Sequence, residues 1–160
     1  MVNLNLHLVG FKPTTFGTEI QRSIHLSYKC NKKNMIQQQT ILKVSDNSGA
    51  KTVKCIKVIG GFKKKFACVG DIIVVSVQEL RNKSKTNSKV KKGEVLKALI
   101  IRTKTKIRKK DGSVNFFNSN FVSLLNKQEN PIATRIIGPI SNDLKKNKYM
   151  KFAAISAGFI

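Results

Sequence analysis

From Met35 onward the chain is a succession of short apolar segments, each stopped by a turn before it is long enough for a helix of ordinary length. Ile41–Val44 runs into Asp46-Asn47-Ser48-Gly49, and Val53–Ile59 ends at Gly60-Gly61. Ile72–Leu80, rich in β-branched residues, follows Gly70-Asp71, and Val95–Arg102 follows Gly93-Glu94. Ile107 and Val114 flank Lys110-Asp111-Gly112-Ser113, a hairpin turn of the Asp-Gly kind, and Phe121–Leu125 and Ile132–Ile137 complete the set. Strands this short, joined this tightly, predict a mainly β protein built as a small closed barrel. Only the C-terminus reads as helix. There Pro139 precedes an N-cap cluster, Ser141-Asn142-Asp143, and Leu144, Lys148 and Lys151 follow at helical spacing.

Residues 1–34 differ from this body. They hold five basic residues and one acid, and Leu4, Leu6 and Leu8 alternate with Asn5 and His7. That period of two reads as a strand, not as the Arg-rich amphipathic helix of a mitochondrial presequence. We read residues 1–34 as an added N-terminal arm ahead of a barrel domain over residues 35–160; a tail with no specific role is the plainer alternative.

Charge narrows the class of partner. The 160 residues suit one domain, and 41% hydrophobic content can bury a core, but 31 Lys+Arg against 8 Asp+Glu leave a net charge of +23. A free monomer so charged repels itself and adheres to polyanions, which favours a protein that lives on nucleic acid over a freely diffusing enzyme. No apolar run approaches the roughly 18 residues that span a bilayer, so a membrane is not an expected partner, and neither is a small-molecule substrate in a chain without catalytic motifs. The three cysteines, Cys30, Cys55 and Cys68, contain no C-x-x-C pair and read as reduced core thiols. The two histidines, His7 and His25, lie outside the body, and no metal or cofactor is expected. Lys outnumbers Arg 26 to 5, beside 17 Ile and 14 Asn, a skew that AT-rich codons produce. Lys meets phosphate as a flexible point charge, whereas Arg suits bidentate base reading, so backbone binding is the expectation.

The cations are not spread evenly. Of the 26 basic residues in the body, 13 fall between Arg81 and Lys110, with Glu94 the single acid among them. One block is Arg81, Lys83, Lys85, Lys89, Lys91 and Lys92; a second is Arg102, Lys104, Lys106, Arg108, Lys109 and Lys110; a smaller third is Lys63-Lys64-Lys65. All lie at predicted strand ends, where a barrel holds loops on rigid supports. The alternation Arg102, Lys104, Lys106, Arg108 predicts four cations on one face of an extended ribbon, a row able to track phosphates. A merely solvated charged face would carry more carboxylates.

Chemistry-bearing patterns are otherwise missing from the sequence. Gly60-Gly61 is not a P-loop, since no Gly-Lys-Ser/Thr follows at the required spacing, and it reads as a tight turn or a close approach of backbone. Asp46, Asp71, Glu79 and Asp111 sit on separate turns, and no Ser/His/Asp set is possible without a histidine in the body. The chain is not expected to be an enzyme.

Several segments in order are similar to a known family: MIQQQTILKVSDNSGAKTVKCIKVIGG (35–61), VGDIIVVSVQEL (69–80), KVKKGEVLKALIIRTK (89–104), KKDGSV (109–114) and PIATRIIGPI (131–140). Residues 35–160, about four-fifths of the chain, resemble the universal large-subunit ribosomal protein L-fourteen in its bacterial form. The resemblance implies a five-stranded closed β-barrel with a protruding β-ribbon and short C-terminal helices. It implies a structural constituent of the large ribosomal subunit that binds large-subunit rRNA and ribosomal protein L-nineteen. Contact with small-subunit rRNA across the interface and docking of the ribosome silencing factor are implied as well. The expected rRNA-binding residues are Asn47, Lys51, Lys54, Lys63, Lys64, Lys65, Lys89, Lys91, Lys92, Arg102, Lys104, Lys106, Arg108, Lys109 and Lys110. Thr134, Arg135 and Lys151 match the positions that meet protein partners. Departures from the family pattern are Ser123-Leu124 in place of a Val-aliphatic pair, a mild loss of core apolarity, Ala133 in place of Gly, a loop about three residues longer near 82–88, and the arm. Added arms suit mitochondrial ribosomes, so a mitochondrial home is expected, with plastid or bacterial cytoplasm as alternatives. The reading from another class is a free oligonucleotide-binding barrel acting as an RNA chaperone, for which Phe62, Phe66, Phe116 and Phe117 would have to be exposed.

Overall fold

A computed structural model describes residues 36–62, 64–81, 88–108, 111–145 and 149–160. The arm at 1–34, with its expected strand, both histidines and Cys30, lies outside the described residues, as do Lys63, Lys109, Lys110 and the loop 82–87.

Among the described residues seven strands form: β1 (Ile41–Val44), β2 (Ala50–Val58), β3 (Ile72–Leu80), β4 (Val95–Arg102), β5 (Ile107–Arg108), β6 (Val114–Asn115) and β7 (Phe121–Leu125). Five of them close a barrel in the order β1-β2-β3-β4-β7, while β5 and β6 make a separate two-stranded ribbon. Four of the five barrel pairings are antiparallel, and the closing pair, β1 with β7, is parallel, with Lys43 opposite Phe121 and Val44 opposite Val122. Closure leaves the five-stranded barrel without a free edge.

Alternation sets the interior. Leu42 and Val44 of β1, Val53 and Cys55 of β2, Ile73, Val75 and Val77 of β3, Ala98 and Ile100 of β4, and Val122 and Leu124 of β7 share one buried cluster. In β2 strict alternation would send Lys57 inward. A register shift between Cys55 and Lys57 turns Ile56 and Lys57 both to solvent and brings Val58 into the core. Burial pushes the Cys55 thiol pKa up, which keeps it protonated and inert, whereas Cys68 is only half-buried.

β4 is buried on both faces: Leu99 and Ile101, which point away from the barrel interior, join Leu125, Ile136, Ile140, Leu144 and Phe152 in a second cluster. The C-terminal segment therefore covers the outside of the β4–β7 wall. Among its described residues are a 3-10 turn at Asn142–Leu144 and one short helix, α1 (Met150–Ala154). The expected strand at Ile132–Ile137 does not form. Only isolated bridges occur there, Leu125 with Pro131, and Ile136 with both Asp46 and Ser156. Pro131 has no N–H to give a ladder, and the N–H groups of Thr134 and Arg135 go to the Asn47 side chain.

The turn between β1 and β2 is tied to β7 by a buried carboxylate. Asp46 Oδ1 accepts from Ser48 N (3.1 Å) and from the Ser48 hydroxyl, and Oδ2 accepts from Leu124 N (2.8 Å) and Ser123 Oγ (3.2 Å). Asp46 and Ser123 are both fully buried. Ser123 is thus not a simple loss of core apolarity, because its hydroxyl is a donor to this carboxylate.

Candidate nucleic-acid interface

Pairing directions sort the loops onto two ends of the barrel. The start of β1, the β2–β3 connection and the β4–β7 connection, which carries the ribbon, share one end. The β1–β2 turn, the β3–β4 loop and the exit of β7 share the other. The three basic blocks are therefore not one surface: Lys64, Lys65, Lys104, Lys106 and Arg108 belong to the ribbon end, and Lys89, Lys91 and Lys92 to the opposite end.

At the ribbon end, Lys65, Lys104, Lys106 and Arg108 are exposed. Lys64 is partly buried, with Nζ 2.8 Å from Asp71 Oδ1, while Asp71 Oδ2 accepts from Cys68 N at 2.8 Å. Lys64 therefore helps to fix its own loop. Asn120 Oδ1 accepts from Lys104 N (2.7 Å), which sets where the chain leaves the barrel toward the ribbon. Across the ribbon, Ile107 pairs with Asn115 and Arg108 with Val114. Asp111 Oδ1 accepts from Ser113 N and Oγ (2.9 and 2.6 Å), the Asx turn that the Asp-Gly sequence predicts.

Arg102 corrects the expectation of four cations on one face. It is 7% exposed, at the end of β4. Its guanidinium lies 4.3 Å from the Phe121 ring centroid and 5.8 Å from that of Phe117, and Nη2 donates to Ile137 O at 2.6 Å. Nε has no hydrogen-bond partner among the described residues, and burial lowers the Arg102 pKa. A register shift between Ile100 and Arg102 interrupts the ladder there, and the exposed row is Lys104, Lys106 and Arg108. Arg102 joins the ribbon base to the C-terminal segment, where Gly138 makes room for it: a Cβ at that position, at φ +83°, would lie 2.7 Å from Arg102 Nη1.

At the opposite end, Lys89, Lys91 and Lys92 are exposed, and Lys89 Nζ donates to Ile132 O at 3.1 Å. Glu94 accepts from Lys91 N (2.9 Å) and so shapes the turn into β4. Asn47 works inside the molecule. Its Nδ2 donates to Thr134 Oγ1 (2.7 Å), and its Oδ1 accepts from Thr134 N (3.0 Å) and Arg135 N (3.4 Å). The Asn47 amide thereby holds the bend that displays Arg135. Lys151, on α1, donates to Asn130 Oδ1 (2.7 Å), on the turn that follows β7.

Lys51 and Lys54 lie on the outer wall of β2, Lys51 exposed and 3.0 Å from Glu79 Oε2, Lys54 half-buried. Lys43 and Lys57 are exposed on the same wall. The alternation of β1 turns Lys43 outward, and the register shift in β2 does the same for Lys57. The described residues contain no grouping of three His, Cys, Asp or Glu side chains fit for a metal, and no helix among them is long and apolar enough to cross a membrane.

The class defined by fold and surface is a small closed β-barrel that carries cationic loops at both ends of a rigid wall. The family model described as ribosomal protein L14p/L23e matches residues 35–160, and the chain belongs to that family. It is accordingly a structural protein of the large ribosomal subunit and not an enzyme, with a place in the ribosome on large-subunit rRNA.

Proposed function

We propose that this chain neutralises large-subunit rRNA phosphates at both ends of its barrel, in a mitochondrial ribosome, and that its Asn47-held bend meets protein partners. The observation that carries the reading is the exposure of Lys65, Lys104, Lys106 and Arg108 at one end and of Lys89, Lys91 and Lys92 at the other. Glu94 is the single carboxylate in the stretch that supplies all but Lys65 of them. Held on strand ends, such loops cost little ordering entropy when they meet a polyanion. The Lys-rich, Asn-rich composition and the arm at 1–34 support the mitochondrial home. Thr134, Arg135 and Lys151 are exposed, which fits contact with ribosomal protein L-nineteen, the small-subunit rRNA or a silencing factor.

Charge reversal of Lys104, Lys106, Arg108 and Lys109 together is expected to block incorporation into large subunits, read by sedimentation. Normal co-sedimentation would overturn the rRNA reading. Arg135→Glu with Lys151→Glu is expected to spare incorporation and weaken subunit joining or silencing-factor binding; unchanged affinity for both would remove these residues from the partner face.

A further inference from the structure

Two aromatic rings are exposed at the ribbon end, outside both buried clusters of the core. Phe62 is 93% exposed and Phe116 is 58% exposed. Phe62 follows Gly60 and Gly61, at φ +114° and +151°, a region that L side chains rarely adopt, so the backbone turns just before the ring. Phe116 lies just beyond β6, with the Lys106 ammonium 5.9 Å from its centroid. Topology gives both rings the same end of the barrel, among Lys65, Lys104, Lys106 and Arg108. The opposite end displays Lys89, Lys91, Lys92, Thr134 and Arg135, with no exposed aromatic among its described residues. Phe159, the remaining exposed aromatic among the described residues, belongs to the C-terminal segment.

We propose that Phe62 and Phe116 are stacking posts for unpaired bases of the RNA, so that the ribbon end engages bases and phosphates while the opposite end engages phosphates alone. The proposal rests on the rRNA reading above and deepens it. Aromatic rings interleaved with ammonium groups match a single strand, whose base faces and phosphates alternate along its length. A protein partner would be matched by contiguous apolar surface; yet Val114, exposed near Phe116, sits opposite Arg108 across the ribbon. Every base has a π-face, so the contact tolerates any sequence and needs no Arg readout.

The protein contains no Trp, so Phe62→Trp introduces a single reporter at the post. The full chain would be titrated with a single-stranded RNA 12-mer and with an abasic 12-mer of the same charge. The base-bearing strand is expected to quench the Trp emission and bind about tenfold tighter than the abasic one. Phe62→Ala with Phe116→Ala is expected to erase that preference while the salt dependence of binding stays unchanged. A Trp that responds equally to both strands, or a base preference that survives the double alanine variant, would overturn the proposal. So would a double variant that keeps the preference yet fails to enter subunits, which would hand the rings to a protein partner. Failure of the rRNA reading looks different: Lys104→Glu with Lys106→Glu would then weaken neither strand.

Discussion

A single carboxylate, Asp46, carries much of the burden of joining the two strands that close the barrel. Its four donors come from the turn after β1 and from β7. Burying a charge without partners is costly, and here backbone N–H and serine hydroxyl groups take the place of a countercation. Asp46→Ala orphans Ser48 N and Leu124 N in the interior and is expected to cost about 3 kcal/mol, measured by urea unfolding. Ser123→Val removes one of four donors and is expected to cost about 1 kcal/mol. A loss of equal size in both variants would show that the carboxylate is not the hub. Nothing in the sequence marked this role. Asp46 reads as a turn residue from its neighbours, and its partnership with Ser123 spans 77 positions.

Among the elements, strands that a turn signal bounds on entry were legible to the residue: β3 and β4 cover the apolar segments that follow Gly70-Asp71 and Gly93-Glu94. β2 begins three residues before the apolar segment that marks it, because Ala50 and Thr52 pair with Leu80 and Glu79 once β3 is beside them. The segment Ile132–Ile137 misled for the opposite reason, since its apolar side chains pack over β4 and β7 without a ladder to join. Arg102 shows the same limit at the site: a cation at a strand end reads as a phosphate ligand until Phe117, Phe121 and Ile137 surround it. Arg102→Met is therefore expected to leave the salt slope of RNA binding unchanged. Lys104→Met should lower that slope by about 0.7–0.9, measured by titration at several salt concentrations. Gly138→Ala places a methyl group against Arg102 at positive φ and is expected to destabilise by about 1–3 kcal/mol in thermal unfolding. Combined with Arg102→Met, part of that loss should return, because the clash is relieved and the backbone strain is not.

For the molecule as a whole, charge works in opposite directions on folding and on binding. A net charge of +23 on 160 residues repels itself in the free protein, and ion pairs that offset it join Lys51 to Glu79, Lys64 to Asp71 and Lys97 to Glu129. Added salt screens the repulsion and also weakens phosphate contacts. Raising NaCl from about 50 to 500 mM is expected to raise the melting temperature of the free chain while lowering its RNA affinity by orders of magnitude. A melting temperature that falls with salt would mean that the ion pairs outweigh the repulsion. The overall charge was plain in the composition. Its division between two ends was not, because only the pairing directions decide which loops share an end.

The parallel pairing of β1 with β7 also fixes when the protein can exist. The first barrel strand must wait for the last, so ring closure comes only after Leu125 has been made, with the ribbon and every other barrel strand already synthesised. Until then β1 and β4 present raw edges on a chain crowded with lysines, a state open to wrong pairing and to premature capture by any nearby RNA. A product cut short before Phe121 has every basic block but no barrel to hold them apart, and synthesis itself thus becomes the step at which this protein is most exposed to error.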